Sequence, residues 1–221
     1  MTTESLEGLE SVEGRHAAAR SLAYNTFARM FEYPDGEQAE AIRAGALAGQ
    51  LREALVAVDP AVDEAADWGA LQDAGEGDDL AVEFTRLFDV GTGAPPCPLH
   101  GGLYGGARMK TMEEAVRFYN FFDLTLSEEP RELPDHLTTQ LEFLHFLAFR
   151  EAQTLEAGAD AGSWQRAQRD FLARHPGRWV PQLRARLEKE EPMPFFLELV
   201  VRLAAFLEGD SRRLGEVAPE S

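Results

Sequence analysis

The sequence predicts an all-α fold, a single bundle-like domain of about eight to ten helices. Apolar residues recur at i, i+3 and i+4 spacing along nearly the whole chain, and no segment alternates with period two for long. With 221 residues, of which 44% are hydrophobic, the chain can bury one sizeable core. We expect a helical domain over residues 15–208, between a flexible acidic N-terminus (1–14) and a flexible C-terminal tail (209–221).

The apolar spacing predicts the helices in order, and Pro or Gly residues separate most of them. The first helix is expected over about residues 15–32 and ends at the turn Tyr33-Pro34-Asp35-Gly36. Leu137 to Ala148 gives the strongest pattern. The remaining apolar stripes run through residues 47–58, 68–71 (short), 80–88, 112–119, 164–172, 179–187 and 196–206.

The least regular segment is the loop over residues 90–107. Between Gly91 and Gly106 it holds six Gly and three Pro, which neither a helix nor a central strand tolerates. A loop of this length inside a compact domain is usually functional or disordered. It carries the chain's one cysteine, Cys97, between two prolines rather than at a helix N-terminus, so we interpret Cys97 as a structural thiol and not as a nucleophile.

Charge and composition exclude several function classes. A net charge of −18 disfavours nucleic acid and anionic lipid as partners and favours a cationic peptide. One cysteine permits no internal disulfide and no C-x-x-C site. No stretch approaches a membrane span, and no secretory signal is recognised, so we expect a cytoplasmic protein without membrane insertion. The common hydrolase, NTPase and dinucleotide signatures are also missing from the sequence.

Histidine and carboxylate spacing offers one enzymatic alternative. Di-iron carboxylate bundles use two E-x-x-H pairs together with a Glu from each of two other helices. The chain has two such pairs, Glu13 with His16 and Glu142 with His145. However, Glu13 lies at the ragged start of the first helix, and the apolar neighbours of His145 are typical of a buried core histidine. We therefore predict no metal site, no cofactor and no catalytic residues, and keep a di-iron oxidoreductase as the alternative.

The most informative run is Glu132-Leu133-Pro134-Asp135-His136-Leu137, where the strongest helix begins. Capping accounts for Asp135, since its carboxylate can accept a bond from an N–H of the first turn, and Pro134 suits the start of a helix. Capping does not account for His136, because the positive end of the helix dipole disfavours an imidazolium. A neutral histidine beside two carboxylates offers a ligand both a donor and an acceptor.

This run resembles the E-x-x-D-H-[LI] signature of the TorD/DmsD/NarJ-type family of redox-enzyme maturation chaperones. Three other segments are similar to family motifs and follow in the same order: residues 22–34 resemble the opening "Y…LF-YP" helix, residues 83–88 the E-[FY]-x-x-L-F helix, and residues 171–181 the "F-L-x-x-H…W-x-P" segment. The loop that reads S-P-Y-x-S-x-Y in the family matches here at Pro98 and Tyr104 only. The resemblance covers about residues 16–208.

The resemblance implies a cytoplasmic chaperone and not an enzyme. Such a protein binds the apo catalytic subunit of a molybdenum enzyme, often through its twin-arginine leader peptide, and holds it until the cofactor is inserted. We expect the client site to contain Glu132 and Asp135 as partners of guanidinium groups and His136 as a partner of client backbone. Pro134 would set the angle of the chain, and Tyr104 would face the site from the loop. A monomer and a homodimer both remain open, as does a plain helical interaction module without a redox client.

Overall fold

The computed structural model describes residues 9–89, 94–124 and 132–217, and every regular element among them is helical, which confirms the all-α prediction. Short 3-10 turns at Ala70–Gln72 and Gly101–Leu103 accompany ten α-helices within these ranges. The helices are α1 (Val12–Met30), α2 (Gly36–Arg43), α3 (Ala46–Val58), α4 (Val62–Ala65), α5 (Asp79–Phe88), α6 (Arg108–Phe121), α7 (Leu137–Glu156), α8 (Gly162–Arg174), α9 (Pro176–Leu187) and α10 (Pro194–Val217).

Helix α1 packs mainly against α7 and also against α3. Ala17 and Ala18 of α1 meet Ala152 of α7, and these small side chains let the two helices approach closely. Larger side chains, including Leu22 of α1 and Leu141 of α7, belong to the main hydrophobic core. The α1–α7 pair forms the centre of the helix packing, and α7 begins at the end of the run Glu132 to Leu137.

A buried charged network joins four helices. Arg20 of α1 is fully buried and donates to Glu151 of α7 at 2.8 Å, to Gln168 of α8, and to Asp210 of α10 at 2.9 Å. The Tyr24 hydroxyl also donates to Asp210. Removing one of the charged side chains would leave an uncompensated charge in the core. The network therefore stabilises the packing of these four helices against one another.

The helical domain extends beyond both predicted boundaries. Helix α1 begins at Val12, where the Ser11 hydroxyl accepts the Gly14 N–H at 2.8 Å, so the expected start at residue 15 is wrong. Helix α10 continues to Val217, so the expected flexible tail is wrong for residues 209–217. Asp210 and Leu214 are buried there and hold this last part of α10 against the bundle. The rest of the two expected flexible ends, residues 1–8 and 218–221, lies outside the described residues.

Two local expectations also differ from the structure. The turn at residues 33–36 leads directly into α2, a helix that the apolar spacing did not predict, and Asp35 caps it by accepting the Gln38 N–H at 2.9 Å. Within the loop expected at 90–107, residues 101–103 form a 3-10 turn, and residues 90–93 lie outside the described part. No helix in the described ranges has both the length and the apolar character that crossing a membrane requires.

Candidate functional site

A short backbone bridge joins the Gly/Pro loop to the start of α7. The Gly101 N–H donates to the Asp135 carbonyl at 2.8 Å, and the Leu137 N–H donates to the Leu99 carbonyl at 2.8 Å. These two bonds pair His100 with His136 in antiparallel fashion, and their ring centroids lie 4.9 Å apart. Two histidines that are distant in the sequence therefore lie side by side.

Two glycines permit this close contact. A Cβ atom on Gly101 would lie 2.7 Å from Nε1 of Trp179, and one on Gly102 would lie 2.9 Å from Oδ2 of Asp135. Both distances are shorter than real Cβ contacts, so a side chain at position 101 would push the loop away from Trp179 of α9, and one at position 102 would push it away from Asp135 at the start of α7. The glycine-rich composition of the loop is therefore a requirement of its docking.

Asp135 is fully buried under the bridge. Its Oδ2 accepts the Gly102 N–H at 3.1 Å, and its Oδ1 lies 3.4 Å from Nδ1 of His100. Burial raises the pKa of this carboxyl, but the hydrogen bonds from His100 and Gly102 outweigh it and hold the pKa below its ordinary value. The expected ion pair with a client guanidinium does not fit this geometry, because the carboxylate faces the loop and not the solvent. Asp135 fixes the loop instead.

His136, and not Asp135, caps α7. Nδ1 of His136 accepts the Thr138 N–H at 3.4 Å and lies 2.7 Å from Oγ1 of Thr138. Its Nε2 lies 3.9 Å from Oε2 of Glu132. Burial, with a further effect from the nearby His100, lowers the pKa of His136 to about 3. The ring is therefore neutral at physiological pH, as expected from the sequence.

Glu132 and Pro134 lie nearer the surface. The Glu132 side chain is 57% exposed at the rim of the site, so it is accessible to a ligand. The carbonyl of Pro134 accepts the Tyr119 hydroxyl at 2.8 Å, which holds the chain in place immediately before α7.

Tyr104 lies behind the loop. It is buried and stacks on Trp179 with ring centroids 5.1 Å apart, and the guanidinium of Arg186 lies 4.2 Å from the ring centroid. The indole N–H of Trp179 donates to Oε1 of the Gln140 side chain in α7 at 3.0 Å. Tyr104 thus supports the loop from the side of α9 and does not line the cavity described next.

A cavity of about 360 Å³ opens beside Glu132 and His136. Two of the motif-like segments found in the sequence, the end of α1 and helix α5, meet the loop and the start of α7 there. Its walls combine aromatic rings with three carboxylates, those of Glu32, Asp89 and Glu132. This combination suits a cationic group followed by apolar side chains. The full lining is Phe31, Glu32, Tyr33, Phe84, Phe88, Asp89, Leu99, His100, Glu132, His136 and Thr138.

Sequence reasoning missed most of this lining. It identified the segments that hold Phe31 and Phe88 as similar to family motifs, but no local spacing shows that they meet beside α7. It considered His100 only as a neighbour of Cys97. One signal was present: an acid lies next to an aromatic residue at the end of both α1 and α5, in Phe31-Glu32-Tyr33 and Phe88-Asp89.

The structure does not assemble the di-iron alternative. Nδ1 of His145 lies 2.8 Å from the Ser21 hydroxyl, in the middle of α1, and Glu142 acts electrostatically on Glu32, just beyond the C-terminal end of α1. Glu13 and His16 lie near its N-terminal end. Among the described residues, one group of three or more metal-binding side chains lies close enough to hold an ion, and it consists of other residues: His100, Glu132 and His136.

Cys97 is a buried thiol. Its backbone N–H donates to the Leu87 carbonyl at 3.0 Å. Burial raises the pKa of the thiol to about 11, so it is protonated at neutral pH and a poor nucleophile.

Comparison with known proteins identifies the family. A family model described as "Nitrate reductase delta subunit" matches residues 41–185. The chain belongs to the nitrate reductase delta subunit family. A selenate reductase assembly chaperone protein from Thauera selenatis is 35% identical over 204 residues, which cover 91% of this chain and 93% of the relative. A chlorate reductase assembly chaperone protein from Ideonella dechloratans is 33% identical over 205 residues, with 92% and 93% covered.

A more distant relative of this delta-subunit family member is the chaperone protein TorD of Vibrio cholerae, 27% identical over 148 residues that cover 65% of this chain and 66% of TorD. The first two relatives are named as assembly chaperones, and TorD is named as a chaperone. The resemblance to redox-enzyme maturation chaperones is therefore confirmed, and the chain is a chaperone-family protein rather than an enzyme.

Proposed function

We propose that this delta-subunit family member binds the apo catalytic subunit of a DMSO-reductase-type molybdenum enzyme. It holds that subunit for insertion of the molybdenum cofactor, before assembly or export. Relatives named for selenate reductase and chlorate reductase support an oxyanion reductase as the client. The observation that carries the proposal is the cavity beside α7, where aromatic walls and three carboxylates lie together.

The twin-arginine leader of the client is the segment that fits this cavity. Its arginines would pair with Glu132 at the rim and with Glu32 in the lining of the same cavity. Desolvation raises the pKa of Glu32 more than Arg29 lowers it, so the carboxylate gains from an arriving guanidinium. The apolar part of the leader would pack against the paired rings of Tyr33 and Phe84, whose centroids lie 5.5 Å apart.

Within the motif, the residues have separate tasks in this proposal. Glu132 recognises the cation. His136 is neutral, so Nε2 can donate to a client carbonyl in the tautomer whose Nδ1 accepts from Thr138. Asp135 and Tyr104 act as supports that hold the loop in place.

We place this activity in the cytoplasm, because a chaperone must meet the apo subunit while its leader is still attached. The active form is a monomer or a homodimer. Steering by charge acts over roughly 8–10 Å at physiological salt, so the carboxylates of the cavity count for more than the total charge. We therefore expect leader binding to weaken as ionic strength rises.

Capture followed by calorimetry tests the proposal. The tagged full-length chain, expressed in its native cell, is expected to capture the catalytic subunit of a molybdenum enzyme, identified by mass spectrometry. A synthetic peptide with the leader sequence of that subunit is then titrated into the purified chain. Glu132→Gln and Glu32→Gln are each expected to weaken binding about fivefold or more.

The matched control is Glu53→Gln, which removes one exposed carboxylate of α3 outside the cavity lining and is expected to leave affinity unchanged. A leader with both arginines replaced by glutamine should bind weakly and lose the difference between wild type and Glu132→Gln. Equal affinity of wild type, Glu132→Gln and Glu32→Gln for the natural leader would remove the cavity from the binding site. Capture without any molybdenum-enzyme subunit would reject the client class.

A further inference from the structure

We propose that His100, Glu132 and His136 bind one divalent transition-metal ion such as Zn²⁺. This inference goes beyond the proposed function and needs no client. One nitrogen or oxygen from each residue lies within 4.8 Å of those of the other two. Two imidazoles and one carboxylate form a known zinc ligand set that leaves a fourth position open. Two nitrogen ligands favour a transition metal over Ca²⁺ or Mg²⁺, which prefer oxygen.

Both imidazoles are already held by outer partners. Nδ1 of His100 lies 3.4 Å from the buried carboxylate of Asp135, so a proton on Nδ1 leaves the lone pair on Nε2. Nδ1 of His136 lies 2.7 Å from the Thr138 hydroxyl. In the tautomer that binds metal, Nδ1 carries the proton and donates to Oγ1 of Thr138 in place of accepting the Thr138 N–H, and Nε2 presents its lone pair to the metal in place of donating to a client carbonyl. Metal-binding histidines commonly carry such a partner on the second ring nitrogen. The backbone bridge places the two residues side by side, with ring centroids 4.9 Å apart.

Side-chain movements would complete the coordination. Zn–N and Zn–O bonds of about 2.0–2.2 Å place tetrahedral ligand atoms about 3.3–3.6 Å apart, so ligand atoms at the 4.8 Å limit of this group would have to close by about 1.2–1.5 Å. Oε2 of Glu132 and Nε2 of His136 are 3.9 Å apart, so this pair must close by about 0.3–0.6 Å. Glu132 is 57% exposed and can make this movement by side-chain rotation.

The surroundings favour a cation with a free coordination position. Glu32 and Asp89 add two carboxylates to the same cavity, which raises the local negative potential. The cavity of about 360 Å³ leaves room for water or another ligand at the open position. The His100 side chain is 24% exposed, so the site is accessible from solvent.

Metal titration of the untagged, full-length chain tests the site without any client peptide. After EDTA treatment and removal of the chelator, Zn²⁺ is titrated in by calorimetry, and Co²⁺ is added separately to record its visible absorption. We expect saturation at one ion per chain. His100→Ala and Glu132→Gln should each weaken affinity at least tenfold, and Thr138→Val should weaken it by about tenfold through loss of the outer partner.

Two matched variants control for unspecific binding. His16→Ala removes a half-buried histidine elsewhere, and Glu53→Gln removes an exposed carboxylate of α3 outside the cavity lining. Both are expected to keep the affinity within about twofold. His136→Asn preserves a cap-forming residue and should abolish binding, and if it fails to fold, His100→Ala and Glu132→Gln still decide the question. No saturable uptake by wild type, or equal affinity of wild type, His100→Ala and Glu132→Gln, would overturn the proposal. A failed leader titration would leave this metal result unaffected.

Discussion

Asp135→Ala and Gly102→Ala are expected to have strongly non-additive effects on the free energy of unfolding, because both substitutions break the same contact. The Gly102 N–H donates to the buried Asp135 carboxylate at 3.1 Å. An alanine Cβ at position 102 would lie 2.9 Å from the same carboxylate oxygen. Either change therefore separates the loop from the start of α7.

The structure sets the size of each effect. Asp135→Ala leaves the Gly102 N–H without its charged acceptor, which costs about 2–3 kcal/mol. Gly102→Ala loses the same bond and adds steric strain, for about 2–3 kcal/mol as well. In the double variant the carboxylate is absent, so the new methyl group at position 102 is relieved of that clash, although Cγ and Cα of Arg108 would still lie 2.8 and 3.0 Å from it. We expect a total of about 3 kcal/mol instead of about 5, a coupling of about 2 kcal/mol.

Urea unfolding followed by circular dichroism measures the four free energies of unfolding at neutral pH. For a chain of this size, a loss of about 3 kcal/mol also lowers Tm by about 6–12 °C. The matched control is Gly106→Ala, where the nearest atom to the new Cβ, Oγ1 of Thr111, lies at an ordinary 3.5 Å. The small effect of Gly106→Ala on the free energy of unfolding should add to that of Asp135→Ala. Additivity of Gly102→Ala and Asp135→Ala within about 0.5 kcal/mol would refute the shared contact.

Three further expectations concern single residues. Burial lowers the pKa of His175 from 6.5 to about 4, so the unfolded chain takes up the proton first as pH falls. As pH falls from about 7.5 to about 5, this histidine should therefore lower the free energy of unfolding by about 2 kcal/mol. His175→Leu should remove that part of the pH dependence, as measured by urea unfolding at the two pH values. Arg20→Met leaves Asp210 and Glu151 buried without their main cation and should lower the free energy of unfolding by about 3–5 kcal/mol. Glu132→Gln, on an exposed side chain, should change stability by less than about 0.5 kcal/mol while it weakens leader binding in calorimetry.

Helix positions could be predicted from the sequence wherever an apolar stripe faces the core, as in α7. The ends of α1 and α10 could not. Residues after Gly209 are polar in sequence, and their order depends on Asp210 meeting Arg20 and Tyr24, which lie 190 and 186 residues away. Pairing between such distant residues leaves no periodic signal in either segment.

The candidate site was predictable in position but not in the roles of its residues. The run at residues 132–137 does lie beside the Gly/Pro loop, as expected. Whether Asp135 caps the helix, faces a client or holds the loop depends on its depth, and its depth is set by Gly102 and His100 from another segment. The walls contributed by α1 and α5 likewise depend on tertiary contacts.

The position of the Asp135-His136 pair at a helix start has a geometric reason. His136 has φ −70° and ψ 145°, an extended conformation. Asp135 lies in a turn, because the His136 N–H donates to the Leu133 carbonyl at 2.9 Å, and helical backbone begins only at Leu137. The turn brings the Asp135 carboxylate to the Gly102 N–H, while His136 places its ring in the cavity lining near Glu132. Within a regular helix, adjacent side chains lie about 100° apart around the axis. One turn further along α7, the same two residues could not both fix the loop and line the cavity.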